Sequence, residues 1–89
     1  MYNTKTTNTM NEDMTIRKLA EKIAIDFQLS VKERTDAILQ LDAIQYTNLG
    51  IDSTKTEKNK VKSDSKHLYK LIKSFNVTDG NLLLNHMDA

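Results

Sequence analysis

The chain has 89 residues, 13 Lys and Arg against 12 Asp and Glu, and no cysteine. That length supports one domain, and once the polar tails are set aside about 60 residues are left to build a core, near the lower limit for a chain that folds without a staple. The lack of thiols excludes disulfides, thiolate metal sites and thiol nucleophiles. No stretch reaches the roughly eighteen consecutive apolar residues of a membrane span, and the first residues lack the apolar run of a secretory signal.

The formal net charge of +1 conceals an uneven distribution. Residues 11–51 hold seven acids against five bases, residues 52–75 seven lysines against three acids, and residues 76–89 two acids alone. Charge is therefore read segment by segment. Eleven lysines to two arginines, with eight asparagines and no proline, is the usage expected from A/T-rich codons and suggests a phage or a low-GC bacterium as the source.

Residues 1–12 are rich in threonine and asparagine and, past the initial Met1, apolar only at Tyr2 and Met10. Such a composition does not offset its own ordering entropy, so a flexible, extended N-terminal arm is expected, ordered only in an assembly. The first helix should begin near Asp13 or Thr15, with Ile16, Leu19, Ala20, Ile23 and Phe27 forming a stripe about 100° wide, the width of a surface helix packed on one side. Ile25 falls opposite, between Lys18 and Glu21, as either an ordinary exposed isoleucine or a contact to another chain.

Gln28-Leu29-Ser30 breaks the pattern, and Ser30 with Glu33 forms a capping box that opens a second helix over residues 30–49. Gly50 is placed to close it in the left-handed conformation, with Leu49 and Ile51 flanking. Val31, Ala37, Ile38, Leu41, Ile44 and Leu49 fill one side of this helix, and Leu39 and Tyr46 extend the arc past Asp42. An arc so wide needs more than one neighbour, which makes this the central helix of at least three. The run Leu19-Ala-Glu-Lys-Ile23 with Leu29-Ser-Val-Lys-Glu33 resembles the opening helix–turn–helix of the histone-like HU family. That family continues into strands and a basic arm, whereas here Thr54 and Glu57 form a second capping box, and membership does not follow.

The third helix is expected over Lys55–Phe75, forming an antiparallel hairpin with the second. Val61, Leu68, Leu71, Ile72 and Phe75 should face the central helix, with Tyr69 at the margin and Asp64 and Ser65 interrupting the stripe. Residues 54–60 hold no apolar side chain and should project past the core. Residues 76–81 read as a turn around Asp79-Gly80, followed by Leu82, Leu83, Leu84 and Met87 on a short C-terminal helix or a docking tail.

The sharpest functional feature is a lysine ridge. Lys55, Lys62, Lys66, Lys70 and Lys73 fall within an arc of about 80°, opposite the apolar stripe, in a row roughly 27 Å long. Three readings stay open: a solvated face, an acidic protein surface, or a nucleic-acid backbone. Catalysis has little support, because Asp64 and His67 with the neighbouring Ser63 and Ser65 would sit on one exposed helix with no wall against water. His67 and His86 lack second ligands at helical spacing, residues 52–57 lack the acid pattern of a calcium loop, and glycine occurs only at 50 and 80, too sparse for a phosphate cradle.

These readings combine into an all-α fold: a small three-helix bundle over residues 13–75 around a central helical hairpin, with the arm at 1–12 and a short C-terminal helix or tail at 76–89. The expected role is a non-enzymatic structural or protein–protein interaction module, such as a phage-encoded accessory or virion-assembly protein, with Ile25, Leu82, Leu83, Leu84 and Met87 as partner contacts. The alternative is a small nucleic-acid-binding or regulatory protein using the lysine ridge. No cofactor, metal, small-molecule substrate or membrane is expected, and the location is the cytoplasm of a bacterial host or a virion rather than the secreted space.

Overall fold

Three side-chain caps decide where the first three helices begin. The Thr15 hydroxyl accepts from the Lys18 amide at 3.3 Å. The boxes at Ser30 and Thr54 are reciprocal: each hydroxyl accepts from the amide of the glutamate three residues on at 3.1 Å, and Glu33 and Glu57 accept back at 2.8 Å. The amides and hydroxyls of Ser30 and Thr54 hold both carboxyls below the usual carboxylate range. The computed structural model describes residues 15–88, and these form α1 (Ile16–Ala24), α2 (Val31–Thr47), α3 (Lys55–Phe75) and α4 (Val77–Asp88), with no strand among them. The arm expected over residues 1–12 lies outside the described residues.

The fold is a small all-α bundle. α1, α2 and α3 pack on one another in up–down–up order, and α4 folds back along α3. Arg17 and Glu21 of α1 meet Asp64 and His67 of α3, whereas Gly80 of α4 backs onto Lys73 and Met87 shares a groove with Lys62 and Lys66. Positions 62 and 64 lie about 200° apart on a helix, so α1 and α4 flank α3 on opposite sides with α2 between. Ala20, Ala24, Ile38, Leu68 and Ile72 form the buried core, and Ile16, Leu41, Leu71, Phe75 and Leu83 pack around it.

The interior is more polar than the periodicity implies. Arg34, Thr35, Asp42, Asp64 and Ser65 are buried, while Val31, Ile44 and Tyr46, assigned to the apolar arc of the central helix, are exposed. Asp64 and Ser65, which by periodicity interrupt the apolar stripe of α3, are part of its buried face.

Three boundaries differ from expectation. α1 ends at Ala24, before Phe27 can join its stripe. Arg34 donates to the Ala24 carbonyl at 3.1 Å, one of the carbonyls a helix end leaves open, and the Asp26 carboxylate turns the chain by accepting from the Gln28 amide at 3.1 Å. Phe27 is thereby 82% exposed, one face covered by the Arg34 guanidinium, 5.3 Å from its ring centre and 4.9 Å from that of Phe75. α2 stops at Thr47 with Asn48 as its cap in a right-handed conformation, so Gly50 does not close it, and no described residue has positive φ.

The third difference is the expected turn over residues 76–81, which is confined to Asn76. Its amide donates to the Ile72 carbonyl at 2.7 Å, and its carbonyl accepts from the Gly80 amide at 2.9 Å. Its side chain accepts from the Asp79 amide at 3.2 Å and donates to Thr35 at 3.1 Å. One residue therefore ends α3, caps α4 and ties both to α2. Gly80 sits inside α4, buried, where a Cβ would lie 2.3 Å from the Lys73 Cα. It permits close helix approach rather than a reversal.

Replacing a helical glycine by alanine normally gains about 1 kcal/mol. Gly80→Ala should reverse that sign and lose roughly 1–3 kcal/mol through overpacking against Lys73. Urea unfolding of the two chains checks this, and a variant as stable as the parent would contradict the close packing of α4.

Candidate functional site

A buried carboxylate organises the middle of the bundle. Asp42 Oδ1 accepts from Gln45 Nε2 at 2.9 Å and from the Ser65 hydroxyl, and Oδ2 accepts from the Tyr69 hydroxyl at 2.5 Å. Gln45 also donates to Ser65 Oγ at 3.0 Å. The carboxylate thus receives three donors from α2 and α3, as a charge away from water requires. Burial, followed by the hydrogen bond and charge of Asp42, pushes the Tyr69 phenol well above its usual range, so it remains a donor.

Tyr69 held in this way is the floor of a groove about 570 Å³ in volume. Tyr46 of α2 and Leu49, two residues past the end of α2, line it on one side and Leu83, His86 and Met87 of α4 on the other; Lys58 and Lys62, both exposed, extend the lining from Tyr69 along α3. α2 and α4 do not pack along their lengths. They approach at Leu39 and Leu83, around a smaller cavity of about 150 Å³, and part beyond it. The result is a channel with aromatic, leucine and thioether walls and cations at its edges, and no carboxylate lines it among the described residues.

The five ridge lysines are all exposed, and none forms an ion pair among the described residues. They do not share one open face. α4 lies along the side carrying Lys62, Lys66 and Lys73, with Gly80 against Lys73 and Met87 sharing a groove with Lys62 and Lys66. The ridge is divided by a helix whose register along α3 sequence periodicity does not reveal.

Of the expected partner contacts, Ile25 and Leu82 are exposed, Leu83 packs against the core and lines the groove, and Leu84 and Met87 are half-buried. Sequence reasoning missed Tyr46, Leu49, Lys58, Tyr69 and His86 as groove residues, since they come together only through the crossing of three helices.

Asp64 and His67 do not combine. Asp64 accepts from Arg17 at 2.6 Å and Lys60 at 3.1 Å, while His67 faces Glu21 at 3.1 Å. No group of three metal-binding side chains occurs among the described residues. Among the described residues no helix is long and apolar enough to cross a membrane. No family model, curated protein or solved structure matches the chain.

Two outcomes follow from the buried acids. Asp42→Ala strands three donors and should cost about 3 kcal/mol or more, against about 1–2 kcal/mol for Tyr69→Phe, both read by urea unfolding. At Asp64, burial raises the carboxyl but the Arg17 and Lys60 hydrogen bonds and charges outweigh it, leaving it below its usual value. A depressed carboxyl stabilises the fold above the unfolded value near pH ~4 and loses that contribution as pH falls through the folded value. Arg17→Leu should therefore cost roughly 1 kcal/mol at neutral pH and progressively less below pH ~3; an equal cost at both would show that Asp64 is not what Arg17 stabilises.

Proposed function

We propose that the chain is a non-enzymatic module that works by binding other protein chains. The observation carrying this reading is an inversion of the usual distribution: Ile25, Phe27, Ile51, Val77 and Leu82 are exposed while Arg34, Thr35, Asp42, Asp64 and Ser65 are buried. A chain this small has few large apolar side chains, and scattered exposure of single ones is ordinary. Here several collect at one end of the bundle, where α1 and α3 finish and α2 and α4 begin: Ile25, Phe27, Val31 and Val77. Exposed apolar groupings of this kind mark contact surfaces. In the phage or low-GC bacterial setting that the codon pattern suggests, such a module would serve as an accessory or assembly component.

The second reading is binding of a nucleic-acid backbone through Lys55, Lys62, Lys66, Lys70 and Lys73. The exposure of all five favours it, and the division of the row by α4 weighs against a continuous phosphate track.

Sedimentation velocity over a concentration series, alone and with a DNA duplex at low and moderate salt, separates the two. The protein-binding reading expects association that persists with salt, as apolar contacts do, and that Ile25→Ser and Phe27→Ser reduce. Duplex binding that collapses as salt rises and is abolished by Lys62→Gln, Lys66→Gln and Lys70→Gln together would replace it with the second reading. Ile51, fully exposed, serves as a fold control: Ile51→Ser should leave the unfolding free energy within about 0.5 kcal/mol.

A further inference from the structure

We infer that the groove between α2 and α4 receives a single helix of a partner chain, about three turns long, apolar on one face and carrying carboxylates beside it. This rests on the protein-binding reading and names the partner's chemistry.

The shape of the groove comes first. From Lys58 to Tyr69 it follows α3 for eleven residues, roughly 16 Å at 1.5 Å per residue, which matches three turns of a guest helix anchored at i, i+3 or i+4, and i+7. Helices form its two walls and its floor, so a guest lying along α3 would pack as a further member of the bundle. The site is also held open. Tyr69 is tethered to Asp42 at 2.5 Å and cannot swing up to fill the space, and α4 is pinned by Gly80 against Lys73 at the far end.

Charge then selects among guests. Lys58 and Lys62 lie four residues apart on α3, on the same side and about one turn from each other, and His86 stands on the α4 edge. No carboxylate lines the groove among the described residues, so Lys58 and Lys62 are its charged lining side chains; the nearby Asp42 carboxylate lies beneath Tyr69, engaged by its three donors. A guest with Asp or Glu at i and i+4 beside its apolar face meets both lysines, and a guest with lysines there is repelled. The apolar walls set affinity and the rim sets which helix enters.

The test is selection from a library of displayed 16-residue helical peptides, random at exposed positions, on the full-length chain, with affinities of the enriched peptides then measured by fluorescence anisotropy. The expected result is enrichment of peptides with a leucine- or methionine-like stripe and an excess of acids. Their binding should weaken by at least about tenfold in the Lys58→Glu, Lys62→Glu double variant and recover when the peptide's acids are exchanged for lysine. Both lysines are exposed, so the variant should keep the parent's unfolding midpoint. Enriched peptides that are neutral or basic, acidic peptides that bind the double variant equally well, or no enrichment would each overturn the inference. Peptides lost on Phe27→Ser but not on the lysine reversal would retire the groove and leave the broader reading standing. A chain that takes no peptide and also stays monomeric in sedimentation would retire both.

Discussion

The Asp42 carboxylate is the constraint on which the rest of the bundle depends. A buried charge is tolerable only when its lone pairs are filled with good geometry, and the donors that fill them come from Gln45 on its own helix and Ser65 and Tyr69 across the hairpin. Those partners meet only in one register of α2 against α3. A slide by one helical turn would leave the carboxylate and two hydroxyls unpaired, which a core of five buried apolar residues could not offset. The polar network thereby specifies the hairpin more sharply than the apolar contacts around it, which many registers could partly satisfy.

What is fixed at Asp42 passes outward to the surface. Tyr69, anchored by its hydroxyl, presents its ring to the groove. On the opposite side of α3, Asp64 takes Arg17 and Lys60 and draws α1 into place. At the far end Asn76 joins α2, α3 and α4 through Thr35, Ile72 and Asp79. The helices are thus located by a few polar attachments, and the apolar residues not needed for the core are left outside, at Ile25, Phe27, Ile51 and Val77.

The position of α4 changes the meaning of the lysines beneath it. As a row on an isolated helix, Lys55 to Lys73 suggest a track for phosphates. With α4 packed on Lys73 and Met87 sharing a groove with Lys62 and Lys66, only Lys62 of that row borders the apolar channel, where Lys58 joins it. A cationic rim beside leucine, methionine and tyrosine suits an amphipathic acidic helix better than a uniformly charged backbone, because the guest needs an apolar face as well as counter-charge.

The sequence by itself determined the all-α class and where the helices start: the boxes at Ser30–Glu33 and Thr54–Glu57 act within four residues, so their outcome does not depend on distant chain. It also made Ile38, Leu68 and Ile72 core residues, because helical periodicity places them on one face. The tertiary structure alone decided which polar residues go inside. Asp42, Ser65 and Arg34 look like surface positions until Tyr69, Gln45 and Phe75 supply the hydrogen bonds and ring faces that make burial affordable. Gly80 carries the same signal for a turn as for a close helix crossing, and only Lys73 at 2.3 Å from its missing Cβ distinguishes them. The groove was illegible for the same reason: its walls are contributed by residues 46 to 87, and no local pattern records how three helices will cross.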